Sequence, residues 1–186
     1  MPLSRDQALR VLEAADLVCP ASEVSDALER LAREITGAVA NSFPLVLCIM
    51  RGGLIFGGQL LPRLRFPLEL DYLDLSRYGD ATRGAELVWN AGPAAGVAGR
   101  VVLVLDDILD EGHTLAAVRE KLLALGAARV LSAVFADKAI GRPKAFTPDF
   151  TGVTLPDRYV FGFGMDVRGA WRNLPEIYAL KEGSER

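Results

Sequence analysis

Four carboxylates are concentrated in one short stretch of the sequence. Asp106, Asp107, Asp110 and Glu111 directly follow the apolar run 101–105. Like charges this close repel one another and raise each other's pKa unless cations, hydroxyl donors or water satisfy them. Their position therefore indicates a binding site, the alternative being a solvated acidic turn that only caps the next helix.

The next residues add an anion-binding turn to these carboxylates. Gly112 and Thr114 stand at the predicted start of a helix, where free backbone N–H groups, the helix dipole and a hydroxyl favour a phosphate. Acidic groups suited to ribose hydroxyls or a metal ion then lie beside a phosphate site, which predicts a ligand of the sugar phosphate class. His113, the only histidine, is interpreted as an exposed loop residue, with a catalytic role as the alternative.

Alternating strands and helices must position these residues. Apolar runs predict strands at 45–50, 68–75, 86–90, 101–105, 130–135 and 159–163. Helical patterns begin at four places. The first follows a capping box at Ser4, and the others begin at Ser22, at residue 53 and at Thr114. Segments 76–85 and 137–157 are predicted to be loops. The order predicts a doubly wound, mostly parallel α/β sheet flanked by helices, with ligands beyond the carboxyl ends of the strands.

Composition excludes several classes of protein. The chain has 186 residues, 51% of them apolar and 24% charged, which fits one globular domain. A formal net charge of −3 argues against a nucleic-acid partner, and no apolar run reaches the ~18 residues that span a bilayer. Cys19 and Cys48 are far apart, so no disulfide or metal framework is expected. The polar start lacks a signal peptide, and we expect a cytoplasmic protein.

Residues 101–115 resemble the phosphoribosyl pyrophosphate (PRPP) signature of type I phosphoribosyltransferases, especially the hypoxanthine-guanine branch. The resemblance extends over about 45–180. It implies a single domain, 1–186, with a core of about 40–140 and a small hood formed from about 1–39 and 141–186. P-loop and dinucleotide-binding motifs are both absent from the sequence.

The activity implied by this resemblance is purine salvage. The 5-phosphoribosyl group of PRPP would pass to hypoxanthine or guanine with Mg²⁺, releasing pyrophosphate and leaving a nucleoside monophosphate. The alternatives are a PRPP-binding regulator of the same fold, or an enzyme for xanthine or another base. The apolar excess suggests a homodimer or homotetramer.

The resemblance also implies roles for the acidic stretch. Asp106 and Asp107 would approach the ribose hydroxyls, directly or through Mg²⁺, and Asp110 would be the general acid/base near purine N7. The residues implied to hold the 5-phosphate are Glu111, Gly112, His113 and Thr114. Many relatives have Thr and Lys where this sequence has Glu111 and His113, and Glu111 is expected to contribute only its backbone N–H.

Further matches complete the implied PRPP site. Arg51 and Gly52 stand where the family binds pyrophosphate, after a peptide bond that the family holds in cis. Arg77 and Tyr78 occupy the position of a mobile lid that commonly carries Ser-Tyr. Arg172 would bind pyrophosphate as a bidentate donor.

The implied purine site lies further along the chain. Lys138 would donate to O6 and so favour 6-oxopurines over adenine. Tyr159 would stack on the purine, and the backbone of Val160 would bind its edge. Asp166 would hold Mg²⁺ through water and offer its backbone near the 2-substituent.

Overall fold

The computed structural model describes residues 2–78, 86–94 and 96–181. Within these ranges the helices are α1 (Arg5–Ala14), α2 (Ala21–Val39), α3 (Gly53–Leu60) and α4 (His113–Ala124), with a 3₁₀ turn at Leu61–Arg63. The strands are β1 (Asp16–Cys19), β2 (Leu45–Met50), β3 (Glu69–Tyr78), β4 (Glu86–Ala91), β5 (Val101–Leu109), β6 (Arg129–Ala139), β7 (Phe150–Pro156), β8 (Val160–Phe161) and β9 (Ile177–Ala179).

The main sheet has six strands in the order β4-β3-β2-β5-β6-β7. All neighbouring pairs are parallel except β3 and β4, which confirms the predicted doubly wound, mostly parallel fold. The central strands β2 and β5 are buried along most of their length because each face of the sheet carries its own apolar cluster. Helices α2 and α3 contribute to one cluster, and α4 contributes to the other.

A second sheet joins the two ends of the chain. Its order is β1-β9-β8, and both pairs are antiparallel. The residues after β8 dock on the main core through Phe163, whose ring centroid lies 4.3 Å from that of Phe135. This sheet therefore sits beside the carboxyl ends of the main strands, where a ligand site was predicted.

Both cysteines lie in the same apolar cluster. Cys19 and Cys48 are both free and buried, and burial raises the pKa of each thiol to about 11. In the described ranges no helix has both the length and the apolar character required to cross a bilayer.

Three strands are longer than predicted. Strand β5 continues through Asp106 and Asp107 to Leu109, so these carboxylates are part of the strand and do not follow it. Strand β3 likewise includes 76–78, and β6 extends to Ala139. In each case pairing with a neighbouring strand continues beyond the apolar run that marked the strand in the sequence.

The prediction of an irregular segment at 137–157 was wrong. It contains β7, which pairs in parallel with β6 at the sheet edge. Its polar threonines and Gly152 concealed the strand, since edge strands need no continuous apolar run. Strands β1 and β9 were also not predicted. They are short, and the residues that pair, such as Asp16 and Ala179, are far apart in the sequence.

Candidate active site

A cavity of about 200 Å³ lies at the carboxyl ends of β5 and β6, against the second sheet. Seven of the residues singled out from the sequence line it together: Asp107, Asp110, Lys138, Tyr159, Val160, Asp166 and Arg172. Residues from distant parts of the chain thus converge where the sheet topology predicted a ligand.

Asp106 and Asp107 occupy different environments although they are adjacent. Asp106 is 9% exposed and does not line the cavity, and its Oδ1 accepts a hydrogen bond from the Asp107 N–H at 3.0 Å. Asp107 faces the cavity, and its Oδ1 accepts from the Ile108 N–H at 2.9 Å.

Both carboxyl groups hold their protons more tightly than ordinary aspartates. Burial raises the pKa of Asp106 well above its usual range, and the neighbouring charge of Asp107 adds to the rise. Burial also raises the pKa of Asp107, while hydrogen bonds and the Arg172 guanidinium oppose the rise. The negative charge of the Asp107 carboxylate is therefore only partly balanced by its neighbours, so this carboxylate can accept a cation or a hydroxyl donor.

A cation and a carboxylate are paired on the cavity wall. Lys138 Nζ lies 3.0 Å from Asp110 Oδ2, and the Lys138 side chain is only 14% exposed, against 56% for Asp110. An ammonium donor beside a carboxylate suits a flat ligand that has a carbonyl oxygen next to a ring nitrogen. The pair is formed by the ends of β5 and β6, which are neighbours in the sheet.

The opposite wall is a hydrogen-bonded loop after β8. Arg172 forms an ion pair with Asp166, and its Nη1 donates to the Gly164 carbonyl at 2.6 Å. The other Asp166 oxygen accepts from the Gly169 N–H at 2.7 Å. Tyr159, 41% exposed, donates its hydroxyl to the Asp166 carbonyl at 3.2 Å, and burial together with the Asp166 charge raises its pKa.

The turn after β2 packs directly against this wall. The Met50–Arg51 peptide bond is cis, as the resemblance implies. A side chain at Gly52 would collide with the Asp107 carboxylate, and one at Gly164 would collide with the Gly52 carbonyl. Only glycine permits these approaches. Arg51 itself is exposed at the start of the turn.

The turn between β5 and α4 has the conformation expected of an anion-binding loop. Gly112 precedes α4 with φ +86°, and a side chain there would meet Phe146 at 2.9 Å. No acidic residue occupies the first turn of α4, so no side-chain carboxylate of that turn occupies the positive end of the helix dipole. Thr114 lies within this first turn, and His113 is exposed as predicted.

The Glu111 side chain is engaged outside the turn. It forms an ion pair with Arg142, and its Oε2 lies 3.6 Å from His113 Nε2. Its backbone carbonyl accepts from the Ala145 N–H at 3.0 Å. These contacts are compatible with the expectation that Glu111 offers only its backbone to a ligand.

A supporting segment at 142–146 was missed by the sequence analysis. Lys144 Nζ donates to the Leu109 carbonyl at 2.9 Å and pairs with Asp137. Together with Phe146, which lies against Gly112, Lys144 holds the turn between β5 and α4 in place. No local motif marks this segment. The only signal is that its lysine and arginine lie in a stretch with few apolar residues.

The structure covers the predicted lid only in part. The backbones of Arg77 and Tyr78 end β3 and pair with β4, whereas their side chains and residues 79–85 lie outside the described part of the chain. In the described ranges, no group of three or more His, Cys, Asp and Glu side chains is arranged to hold a metal ion.

Comparison with known proteins points to one family. A model of the phosphoribosyl transferase domain matches residues 20–168. The chain is 32% identical over 160 residues to the hypoxanthine-guanine phosphoribosyltransferase of Bacillus subtilis, covering 86% of this chain and 89% of that protein. It is 32% identical over 161 residues to the hypoxanthine-guanine-xanthine phosphoribosyltransferase of Tritrichomonas foetus, covering 86% and 88%.

Longer relatives and solved structures give the same result. The chain is 34% identical to the bifunctional protein TilS/HprT of Listeria innocua over 86% of this chain, but spans only 25% of that protein. A solved hypoxanthine-guanine-xanthine phosphoribosyltransferase superposes with a TM-score of 0.82 at 29% identity, covering 91% of this chain and 99% of that one. A hypoxanthine phosphoribosyltransferase from Staphylococcus aureus, 23% identical, shares the fold with a TM-score of 0.86 over 96% and 97% of the two chains.

Proposed function

The chain belongs to the phosphoribosyltransferase family, and from this premise we propose that it transfers the 5-phosphoribosyl group of PRPP to hypoxanthine or guanine. The products would be pyrophosphate and the purine nucleoside monophosphate. The observation that carries the proposal is the convergence of Asp107, the Lys138–Asp110 pair and Arg172 on one cavity. These side chains would supply a donor for O6, a proton acceptor, a ribose-facing carboxylate and a pyrophosphate-binding cation in one place.

The purine would bind between the ends of β5 and β6 and the Tyr159 ring. The Lys138 ammonium would donate to O6, and Asp110, 3.0 Å from it, would exchange the proton on N7 as the nucleotide forms at N9. Tyr159 would stack on the ring, and the backbone of Val160 would bind its edge.

PRPP would lie across the anion-binding turn and the turn after β2. The backbone at Glu111, Gly112 and His113, with Thr114, would hold the 5-phosphate at the start of α4. Arg172 and Arg51 would stabilise the charge that develops on pyrophosphate as it leaves C1. The Asp107 carboxylate would favour the positive charge that develops on the ribose. Arg77 and Tyr78, in the proposed lid, would close over the substrates and exclude water.

The residues at the cavity fit Mg²⁺. This ion binds oxygen ligands, typically one or two carboxylates together with substrate phosphates. Asp107 and Asp166 present carboxylates to the same cavity. Asp106 does not line it, so the proposal places Asp106 behind Asp107. When bound, Mg²⁺ would neutralise charge on the pyrophosphate.

Three further features belong to the proposal. The second sheet, with the chain ends, would form the hood over a core of about 40–140. The exposed apolar side chains of β3 and α3 would be covered in a homodimer or homotetramer. The two free thiols are compatible with the reducing cytoplasm as its location.

A spectrophotometric assay with PRPP, Mg²⁺ and each of hypoxanthine, guanine, xanthine and adenine tests the proposed reaction. We expect turnover with the 6-oxopurines. EDTA should abolish it, and Asp110→Asn should lower kcat by about 10²-fold or more through loss of the proton acceptor. The matched variant Asp26→Asn, exposed on α2, should retain wild-type rates.

The alternatives give different results in the same assay. No turnover with any base, while PRPP still raises the melting temperature, would indicate a PRPP-binding regulator and overturn the enzyme proposal. Turnover with adenine in preference to hypoxanthine would overturn the proposed role of Lys138.

A further inference from the structure

A second cavity, of about 320 Å³, shares Tyr159 with the candidate active site. Its other walls come from α1, from Val167 and Arg168 after β8, and from Leu180 and Lys181 after β9. The volume is within the range of small-molecule sites, which starts at ~300 Å³.

The interior of this cavity is apolar, and α1 leaves it unfilled. Leu3, Val11 and Leu180 line it and are only half-buried, and α1 contains no buried residue. The helix is nevertheless held in place by a capping box at Ser4 and by Trp171 Nε1, which donates to the Ala8 carbonyl at 2.8 Å. A fixed helix whose apolar side chains are incompletely covered gains free energy when an apolar ligand covers them.

The charged groups at this cavity are all positive. Arg10, Arg168 and Lys181 line it, together with the neutral Gln7, and no carboxylate does. None of these three cations forms an ion pair within the described residues, whereas nearby Arg5 pairs with Asp6 and Arg158 pairs with Asp16. Three cations of different chain segments around an apolar interior suit a ligand with an anionic group and an apolar body.

We propose that this cavity is a second ligand site, which binds a small organic anion with an apolar body and a carboxylate or phosphate group. The anion would contact Arg10, Arg168 and Lys181, and its apolar part would lie against Val11 and Leu180. The family model matches 20–168, so α1 and Lys181 lie outside the matched range.

A ligand in the second cavity would alter binding of the base at the proposed purine site. Tyr159 lines both cavities, and its hydroxyl is tied to the Asp166 backbone. A ligand against Tyr159 would restrict the ring that is proposed to stack on the base. This coupling rests on the proposed function, but binding to the second cavity does not.

Binding can be tested with the fluorescent anion 1-anilinonaphthalene-8-sulfonate and the full chain. We expect saturable fluorescence at one site, weakened about tenfold by Arg10→Gln through loss of one charged contact. Arg5→Gln removes the same charge from the same helix outside the cavity and should leave binding unchanged. The uncharged analogue N-phenyl-1-naphthylamine should bind both variants equally. Equal binding of the sulfonate by Arg10→Gln and wild type would overturn the site.

A second variant separates this cavity from the active site. Ala14 lines the cavity and is exposed, so Ala14→Trp should fill it without disturbing the core. We expect this variant to lose sulfonate binding while PRPP still raises its melting temperature. Sulfonate binding that survives in Ala14→Trp and is abolished by PRPP would place the probe in the active site and overturn the proposal.

Displacement identifies the anionic group. Octanoate and AMP are titrated against the bound sulfonate, in the presence of saturating PRPP to occupy the active site. Displacement by octanoate identifies a carboxylate ligand, and displacement by AMP identifies a phosphate ligand. Displacement by neither at millimolar concentration would overturn the proposed ligand class.

The coupling is measured last. With the displacing anion present, the KM for hypoxanthine should change severalfold in wild type and not in Ala14→Trp, at unchanged KM for PRPP. If the protein has no transferase activity but the sulfonate results hold, the proposed function fails and the second site stands. An unchanged KM for hypoxanthine in active wild type would overturn the coupling alone.

Discussion

At the scale of single residues, the Lys138–Asp110 pair is expected to determine which base the cavity selects. The Lys138 side chain is largely buried, so its ammonium is held at one place on the wall, 3.0 Å from Asp110. A fixed donor of this kind distinguishes a ring carbonyl, which accepts, from an amino group, which does not.

Lys138→Met should therefore weaken base binding selectively. Loss of a hydrogen bond from a charged donor costs about 1.5 to 3 kcal/mol, so the KM for hypoxanthine should rise about 10- to 100-fold. The KM for PRPP should change little. Steady-state kinetics with Lys121→Met on α4 as the matched control decides the point, and an unchanged KM for hypoxanthine would refute the assignment of Lys138.

Asp106 shows how a single buried carboxyl group links stability to pH. Its pKa is raised by burial and by Asp107, so the folded protein binds this proton more tightly than the unfolded chain. The stabilisation is complete below about pH 4, the ordinary Asp pKa, and is lost as the pH rises through the folded pKa. Asp106 therefore contributes less to the free energy of unfolding at neutral pH than at pH 4.

Asp106→Asn should accordingly stabilise the protein at neutral pH. Asn keeps an acceptor for the Asp107 N–H without the charge, so the free energy of unfolding should rise by about 1 to 3 kcal/mol at pH 7. The gain should shrink towards pH 4. Urea unfolding at both pH values, with the exposed Asp26→Asn as the control, measures the difference. A gain of equal size at both pH values would contradict this account.

Residue-scale sequence reasoning identifies only chemistry that is encoded locally. The acidic stretch with Gly112 was identified from composition and spacing alone, before any resemblance was used. It failed for Lys144, whose partners are the Leu109 carbonyl and Asp137. When a lysine binds a backbone carbonyl on another strand, the residues next to it in the sequence carry no signal of that contact. The contact is therefore visible only in the folded structure.

At the scale of elements, the segment at 142–146 positions the anion-binding turn. Lys144 holds the Leu109 carbonyl, Ala145 donates to the Glu111 carbonyl, and Phe146 lies under Gly112. These contacts join the end of β5 to the start of α4 without reaching the cavity. We therefore expect Lys144 to act as a positioning residue for the proposed 5-phosphate site.

Lys144→Met should raise the KM for PRPP about tenfold, the equivalent of one lost hydrogen bond from a charged group, with little change in the KM for hypoxanthine. Arg142→Gln is the matched control. Arg142 contacts the exposed side of Glu111 and is itself 65% exposed, so its ion pair is worth little. Equal effects of the two substitutions, or a loss confined to kcat, would contradict the positioning role.

The elements themselves were predicted as far as apolar patterning reveals them. Strand β2 has the predicted ends because both of its faces are buried. Strand β7 was missed because it forms a sheet edge, and β1 and β9 because each depends on a partner about 160 residues away. A strand that is buried on both faces requires a continuous apolar run in the sequence, whereas pairing between distant short segments requires no such run.

At the scale of the whole molecule, the main sheet leaves part of one face uncovered. Leu70 and Tyr72 on β3 are 54% and 46% exposed, although their register partners Val46 and Cys48 on β2 are buried on the same face. Leu54, on α3, is also 53% exposed. Large apolar side chains on neighbouring elements mark an interface more often than a bare surface.

We expect a second copy of the chain to cover this face. Tyr72→Glu should then convert the dimer, or a tetramer built from it, to smaller species. A buried aromatic at an interface centre contributes about 2 kcal/mol or more, so the dissociation constant should rise at least about 30-fold. Light scattering after size-exclusion chromatography, over a range of concentrations, measures this.

Leu123→Glu provides the control for this test, because Leu123 is 46% exposed on α4, the helix that packs against the opposite face of the sheet. The oligomer should persist in this variant, since the same change in charge falls outside the proposed contact. Wild type that is monomeric at micromolar concentration would refute the interface. Dissociation by both substitutions would show that charge, and not the β3 face, governs association.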